Sequence, residues 1–226
     1  MDGYLLIDKP LGISSFGVVA RVRRIISDAE GKKVKIGHCG TLDPAASGLM
    51  ILVIGKYTKK ASEFSKLGKT YIAEITLGLE SSTGDREGEL TRINDQVPSI
   101  QEVQAVLDGF VGEISQVPPA FSAVKVDGQR AYKLARQGRE VKIEPRKVTI
   151  YKLQTTNYEY PKLCFTARVS SGTYVRSLAE DIGQKLGTGA YVSALRRTKV
   201  GDFDIKDALI FEKLNISELE TEVVKE

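Results

Sequence analysis

The sequence has little of what metal centres, disulfide frameworks and membrane spans are built from. Its 226 residues include one histidine, two cysteines and no CxxC pair, so the usual ligands of a zinc site are missing. Two cysteines also give no disulfide framework, and we infer a reducing, cytoplasmic setting. The longest apolar run is far shorter than the ~20 residues that a bilayer helix needs. The N-terminal stretch MDGYLLIDKP lacks the basic start and long apolar core of a signal peptide.

A nucleotide site is excluded as well. The stretch SKLGKT, residues 65–70, ends like a phosphate-binding loop. That pattern requires a glycine five residues before Gly68, and the residue there is Glu63. We therefore predict no nucleotide cofactor. The chain contains 42% hydrophobic and 27% charged residues, a composition typical of globular proteins. Its length fits one large domain.

The net charge of +4 is unevenly distributed. Residues 1–69 carry 12 basic and 6 acidic side chains, and residues 120–150 carry 8 and 3. Residues 79–113 reverse the balance, with 8 acidic and 2 basic side chains. If the basic segments share one face, that face suits a polyanion. Ordinary solvated surfaces give the same counts, and without further motifs they are the simpler interpretation.

One stretch, GHCGTLDPAASGLM at residues 37–50, has residue choices that look chemical rather than architectural. Pro44 fixes its own φ and pushes Asp43 toward an extended conformation. The apolar residues 49–54 that follow predict a buried strand. A carboxylate is thus held on a stiff turn at the edge of a core strand, beside the only histidine, His38. On these residues alone, an aspartate that caps a turn is slightly favoured over a catalytic one.

Strands and helices come in groups rather than in strict alternation, which favours an α+β fold. Residues 69–78 predict a strand with Tyr71 on its inward face, where a core aromatic is the simpler interpretation. Residues 170–173 predict the cap of a helix that has Arg176 in its first turn. A cation there opposes the helix dipole, at a cost of a few tenths to ~1 kcal/mol, so a carboxylate partner is expected. Glu180, four residues on, is the plain candidate.

Two segments predict surface structure. Residues 79–97 are acidic, contain glycine and predict an irregular loop. Residues 115–145 contain the breaker pair Pro118-Pro119 and then a short basic helix. That helix, predicted over residues 130–138, carries Arg130, Lys133 and Arg136. A charged lobe packed on the sheet and a mobile insertion both fit this pattern.

The stretch GHCGTLDPAASGLM closely resembles the catalytic motif of the TruB-type tRNA pseudouridine synthases. LLIDKPLGISSFGVV, SSGTYVRS and ALRR resemble further motifs of that family, so the resemblance covers residues 3–210. It implies a pseudouridine synthase fold, with a mixed, mostly antiparallel sheet flanked by helices and a central cleft. It also implies one catalytic domain over residues 1–226, with an RNA-clasping insertion at about 115–145. Many relatives continue into a small RNA-binding PUA domain, and we expect none here because the chain stops where it would begin.

The resemblance assigns roles that spacing leaves open. It implies that Asp43 is the catalytic residue and that Arg176 pairs with it. The residues implied to bind the substrate are His38, Tyr71, Tyr174, Arg176 and Leu195. The basic residues that we expect to contact RNA are Arg130, Lys133, Arg136, Arg196 and Arg197.

The implied reaction isomerises uridine to pseudouridine in the T arm of tRNA. The N1–C1′ bond breaks, the uracil turns, and C5 bonds to C1′, so no metal or redox cofactor is required. The nucleotide must also leave its stack, at a cost of a few kcal/mol. The expected partner is the tRNA T stem-loop, with no membrane partner, and we expect a monomer.

Two other functions are compatible with the same residues. A non-catalytic tRNA-binding or tRNA-folding protein could use the same scaffold. A glycoside hydrolase would also place an aspartate at a glycosidic carbon, but it needs a second carboxylate across the bond. No second carboxylate is linked to a motif here, and an arginine partner argues against hydrolysis.

Overall fold

The computed structural model describes residues 1–126, 128–139 and 141–224. Residues 127 and 140, which fall in the predicted insertion, lie outside the described residues. Contacts divide the chain into two compact units, one formed by residues 1–71 and 195–226 and the other by residues 72–194. None of the helices in the described ranges is long and apolar enough to cross a membrane.

The elements are numbered in chain order. The strands are β1 (Gly3–Lys9), β2 (Ile36–His38), β3 (Ala46–Ile54), β4 (Lys69–Leu77), β5 (Leu79–Ser81), β6 (Leu90–Arg92), β7 (Gly112–Gln116), β8 (Lys125–Val126), β9 (Gln129–Arg130), β10 (Arg146–Glu159), β11 (Lys162–Val169), β12 (Ala190–Val200), β13 (Phe203–Asp204) and β14 (Leu209–Ile210). The α-helices are α1 (Ser15–Glu30), α2 (Ala61–Lys66), α3 (Ile100–Asp108), α4 (Ala131–Ala135), α5 (Val175–Leu186) and α6 (Ile216–Glu222). Short 3₁₀ turns occupy Gly55–Lys60, Ile205–Asp207 and Phe211–Lys213.

The first unit is organised around β3, the strand that the apolar run predicts. Residues 49–54 are at most 1% exposed, because β3 lies between β1, antiparallel to it, and β12, parallel to it. The strand order is β14-β1-β3-β12, with β2 also paired to β3 and β13 to β12. The rings of Tyr4, Phe64 and Phe203 pack together on this sheet with centroids 5.4 to 5.9 Å apart. This buried, paired strand carries the Asp43 turn at its start.

The helix α1 packs its apolar stripe inward, with Val18, Val22 and Ile26 fully buried. Its N-cap is Ser14, whose hydroxyl accepts a hydrogen bond from the backbone N–H of Gly17, at 3.0 Å. The helix ends at Gly31, whose left-handed backbone suits glycine. Both ends of α1 are thus fixed by local sequence.

The second unit has the strand order β4-β11-β10-β7, with β10 antiparallel to both of its neighbours. Helix α3 begins with a capping box formed by Ser99 and Glu102. Helix α4 is five residues long, shorter than the predicted basic helix. Across the pairs that the structure describes, the sheet is mixed and mostly antiparallel, with helices on it, and the predicted α+β class is confirmed.

Two local predictions are wrong. The cap of α5 is Tyr174, without a side-chain hydrogen bond, because the Ser170 hydroxyl instead accepts from the N–H of Thr149. Residues 79–97 are not an irregular surface loop throughout, because β5 and β6 form a hairpin there. Within that hairpin Asp85 is only 6% exposed.

Candidate active site

The loop that carries Asp43 is held from three directions. The Ser15 hydroxyl accepts from the N–H of Leu42 at 2.8 Å and donates to its carbonyl at 2.7 Å. The N–H of Gly12 donates to the Pro44 carbonyl at 2.8 Å, and the N–H of Ala46 donates to the Asp43 carbonyl at 3.0 Å. Asp43 itself is half-buried. The predicted stiff turn is therefore present, and the residues that hold it come from the N-terminal segment as well as from the turn.

Arg197 holds the same loop from β12. Its Nε donates to the Leu49 carbonyl at 2.7 Å, and its Nη atoms donate to the carbonyls of Gly40 at 3.1 Å and Thr41 at 3.4 Å. The residue is 2% exposed. A side chain so buried is poorly placed to present its charge to a phosphate in solution. The RNA contact of Arg197 stays a prediction, and the contacts that the structure describes for this side chain are with the protein backbone.

Arg196, the neighbouring residue, has the opposite environment. Its side chain is 42% exposed and forms an ion pair with Asp8, at 2.6 Å between Nη2 and Oδ2. Its Nη1 also donates to the Ser47 hydroxyl at 3.2 Å. The exposed part of this guanidinium is compatible with the predicted RNA contact, which stays a prediction.

His38 lies in β2, opposite Leu52 of β3. Burial, and secondarily the positive charge of Arg197, lower the pKa of His38 below its ordinary value of 6.5. The imidazole is therefore neutral at neutral pH. Its Nδ1 is buried and has no hydrogen-bond partner within the residues that the structure describes. A neutral ring suits contact with a base better than contact with a phosphate.

Two apolar surfaces of the predicted site belong to the same unit as Asp43. Tyr71, in β4, is 8% exposed, which is as deep as its alternation with the core residues of the strand predicts. Leu195 is half-buried and lies opposite Ala46 in the β3–β12 register. That register places Leu195 beside the end of the Asp43 turn, a placement that the sequence alone does not provide.

Two further ionisable groups lie close to this loop. Lys69 is 7% exposed and donates to the carbonyls of Ser65 and Leu67, both at 2.6 Å. Burial, with a smaller contribution from Arg197, lowers the pKa of Lys69 to about 8. Burial raises the pKa of the Cys39 thiol to about 11, so Cys39 is not a nucleophile near neutral pH.

In the second unit, Arg176 is 7% exposed and lies in the first turn of α5, as predicted. Its Nη atoms donate to the carbonyls of Thr83 and Phe121, both at 2.9 Å. Asp85 lies 3.7 Å away, between Oδ2 and Nη1, and forms an ion pair with it. Nothing local in the sequence places Asp85 here, since it belongs to a stretch that predicts a surface loop. The pairing of Arg176 with Asp43 stays a prediction.

Tyr174 is positioned through its backbone. Its N–H donates to the Gln116 Oε1 at 2.8 Å, and its carbonyl accepts from the Gln116 Nε2 at 3.1 Å. Gln116 is 2% exposed, at the end of β7. Gln116 was not predicted, because its neighbours in the sequence do not distinguish a glutamine that hydrogen-bonds a distant backbone from one that faces solvent. The half-buried Tyr174 side chain stays a predicted substrate contact.

The basic residues of the insertion are exposed. Arg130, Lys133 and Arg136 all face solvent, with the Arg130 Nη1 on the Ala123 carbonyl at 2.5 Å. The Arg136 guanidinium lies 5.7 Å from the centroid of the Tyr132 ring. Exposed cations of this kind can reach a phosphate backbone, and their RNA contacts stay predictions.

Comparison with family models divides the chain into two matches. Residues 23–175 match the N-terminal domain of the TruB family pseudouridylate synthases. Residues 176–223 match the C-terminal domain of tRNA pseudouridylate synthase B. Together the matches cover the Asp43 loop, the insertion and the strand that carries Arg197.

Curated relatives are similar over nearly the whole chain. A tRNA pseudouridine synthase B of Endomicrobium trichonymphae is 43% identical over 212 residues, which cover 93% of this chain and 90% of the relative. A tRNA pseudouridine synthase B of Dehalococcoides mccartyi is 47% identical over 216 residues, which cover 95% of this chain and 70% of the relative. The similarity is therefore not confined to short motifs.

Solved structures share the fold. A chain in the crystal structure of a Cbf5-Nop10-Gar1 complex superposes with a TM-score of 0.72 at 31% identity. A chain in the structure of an H/ACA RNP bound to a substrate RNA containing 2′-deoxyuridine gives 0.69 at 28% identity. Each match covers 94% of this chain, and the chain spans about half the length of those proteins.

Proposed function

The chain belongs to the TruB family of tRNA pseudouridine synthases, enzymes that isomerise uridine to pseudouridine, and we propose that its Asp43 carries out this reaction on a uridine in the T arm of tRNA. The observation that supports the proposal most directly is the Asp43 turn. Its half-buried carboxylate follows Leu42, whose backbone N–H and carbonyl are both bonded to the Ser15 hydroxyl. Such a fixed geometry is what a group needs to react at one carbon of a bound ribose.

The chemistry requires an anion at the sugar. When the N1–C1′ bond breaks, positive charge develops at C1′, and a carboxylate at that position can stabilise the charge, attack C1′ or remove a sugar proton. The released uracil turns so that C5 faces C1′, and the C5–C1′ bond forms. The proton leaves C5 and N1 gains one, so atoms and charge balance without a further reactant.

The uracil needs an apolar place to turn. In the proposed complex the flipped base lies between Tyr71 and Leu195, and contacts of this kind contribute roughly 1–3 kcal/mol per stacked base. The neutral His38 ring contacts RNA bases beside the loop. Together these contacts offset the few kcal/mol that extrusion of the nucleotide costs.

The test is the substitution Asp43→Asn, which keeps the size of the side chain and its ability to accept a hydrogen bond in the turn. With tRNA labelled with tritium at uridine C5, the wild-type enzyme is expected to release the label, and the variant to lose at least about a thousandfold in rate. Binding of tRNA should change less than threefold. Asp28→Asn, an exposed change on α1, is the matched control and should keep the wild-type rate.

The position of the product decides the finer part of the proposal. Pseudouridine should map to a T-arm uridine, and replacement of that uridine by cytidine should stop tritium release. Product at another place in the tRNA would refute the T-arm assignment. An active Asp43→Asn enzyme would refute the role of the carboxylate.

A further inference from the structure

The Arg197 side chain joins two segments of backbone that flank Asp43. It contacts the carbonyls of Gly40 and Thr41, three and two residues before the aspartate, and the carbonyl of Leu49, six residues after it. One planar guanidinium thus fixes the distance between the entry and the exit of the loop. A guanidinium can do this because its donors point in fixed, divergent directions.

The backbone of β12 is pressed against β3 at the same point. Arg197 lies opposite Gly48 in the parallel register. A Cβ at Gly48 would lie 2.2 Å from the Arg197 carbonyl oxygen and 2.6 Å from its nitrogen. Because only glycine permits this approach, the root of the Arg197 side chain is fixed as firmly as its tip.

Burial makes this arrangement costly. Arg197 is among the largest fully buried side chains of the molecule, at 2% exposure. Within the described ranges it forms no ion pair, and its hydrogen-bond partners are backbone carbonyls. Burying a cation on neutral acceptors costs several kcal/mol, and an apolar residue of similar volume would fill the space without that penalty. A cost of this size, at the loop that carries the carboxylate, indicates that the position of the loop must be fixed.

We propose that Arg197 is a positioning residue for the reaction: by holding the carbonyls of Gly40, Thr41 and Leu49 it sets where the Asp43 carboxylate lies against the ribose. The inference rests on the proposed function of Asp43. It assigns Arg197 no contact with substrate. It also separates Arg197 from Arg196, although the two are adjacent and chemically identical.

The test compares two substitutions by rate and by binding. Arg197→Met keeps the length and removes every donor. Its single-turnover rate at saturating enzyme should fall at least a hundredfold, while the Kd for tRNA changes less than threefold. Arg197→Lys can reach one carbonyl but not both ends of the loop, so its rate should lie between those of the Met variant and the wild type. Val103→Ala, a core truncation in α3, is a destabilised control that should keep the wild-type rate per folded molecule.

Amide hydrogen exchange provides a readout that does not depend on activity. Exchange over residues 40–46 should be at least tenfold faster in Arg197→Met than in the wild type, and unchanged there in Val103→Ala. If the wild type converts no uridine, the proposed function fails, and the exchange data still decide whether Arg197 holds the loop.

Two results would overturn the inference. The first is a folded Arg197→Met enzyme with a rate within threefold of wild type. The second is a loss confined to tRNA affinity, which would return Arg197 to the role of an RNA contact. If the Met variant does not fold, the Lys variant decides, and a wild-type rate for it would exclude the requirement for a guanidinium.

Discussion

The Asp43 loop is bound by side chains from residues far away in sequence, whereas the hydrogen bonds described within residues 122–126 and 128–139 join near neighbours. The loop is bound by Ser15, 27 residues before Leu42, and by Arg197, 157 residues after Gly40. In the insertion, the Arg130 side chain bonds a carbonyl seven residues away. The backbone N–H of Tyr132 bonds the Ser122 carbonyl, ten residues away.

Among the residues that the structure describes, the hydrogen bonds that join the insertion to the rest of its unit lie at its beginning. Gln116 bonds the Tyr174 peptide, and the carbonyls of Val117 and Phe121 accept from Ser177 and Arg176. A segment held by local bonds opens at low free energy, while one held by distant bonds opens only with the fold. This contrast agrees with a fixed geometry for the Asp43 loop, and the adjustment of the basic insertion to a bulky ligand stays a prediction.

The contrast between the Asp43 loop and the insertion is tested most sharply by replacing one glycine in each region with alanine. Gly48→Ala places a Cβ 2.2 Å from the Arg197 carbonyl at a φ of +112°, so we expect a loss of about 3 kcal/mol or more in the free energy of unfolding. Gly138→Ala, in the insertion, has a φ of +70° and meets no atom within 4 Å, so it should cost only about 1 kcal/mol. Denaturant unfolding measures both, and equal losses would contradict the contrast.

Adjacent serines give the next largest effect. Ser15→Ala removes the hydroxyl that bonds both the N–H and the carbonyl of the buried residue Leu42. It should cost about 2 kcal/mol and lower the single-turnover rate at least tenfold. Ser14→Ala removes only the cap of α1, at about 1 kcal/mol, and should leave the rate unchanged. A Ser14→Ala enzyme as slow as Ser15→Ala would show that helix stability, not the grip on the loop, controls the chemistry.

The sequence predicted what depends on neighbours along the chain. The turn at Asp43 and the buried strand after it are local patterns, and both are present. The hydrogen bonds of Ser15 to Leu42 were not predictable, because a serine at the start of a helix is first a candidate cap. Its partner, Leu42, becomes a neighbour only when α1 packs on the sheet.

Arg197 shows the same limit more clearly. Two adjacent arginines on a strand predict a basic surface, and burial of one of them follows only from the pairing of β12 with β3 across roughly 150 residues. Asp85 lies in an acidic stretch that predicts solvent exposure, yet its carboxylate accepts from Thr83 and Glu87 and pairs with Arg176. The family resemblance supplied roles for Tyr71 and Leu195 that residue spacing alone assigns to the core.

Charge removal in the insertion tests the other half of the comparison. Replacing Arg130, Lys133 and Arg136 together by glutamine should weaken tRNA binding by about tenfold and reduce the salt dependence of the Kd by two to three counterions, about one per phosphate contact. Stability should change by less than about 0.5 kcal/mol, because these side chains are exposed. The rate at saturating enzyme should stay at the wild-type value. The control is Lys152→Gln, an exposed change on β10.

Normal tRNA binding by the triple variant would contradict the prediction in one of two ways. If the triple variant binds tRNA normally and is strongly destabilised, the insertion is a packed structural lobe. If it binds normally and remains stable, the three cations do not contact RNA, and the exposed Arg196 becomes the principal basic residue to examine.

The smallest expected effect is a pH dependence of the free energy of unfolding that arises from two buried groups near the Asp43 loop, Lys69 and Cys39. Folded Lys69 loses its proton near pH 8, whereas an unfolded lysine keeps it to about 10.5. Between pH 8 and 9 the unfolded state binds more protons, so the free energy of unfolding should rise with pH, by at most about 1.4 kcal/mol per unit.

Cys39 opposes this rise at higher pH. An unfolded cysteine ionises near pH 9, whereas Cys39 keeps its proton to about 11, so above pH 9 the folded state retains the proton that the unfolded state loses. The two slopes then cancel and the wild-type curve should flatten. Cys39→Ala should continue to rise to about pH 10.5, and Lys69→Met should lack the rise between pH 8 and 9. Denaturant unfolding at half-unit steps of pH resolves these curves, and parallel profiles for all three proteins would show that neither group is ionised differently by folding.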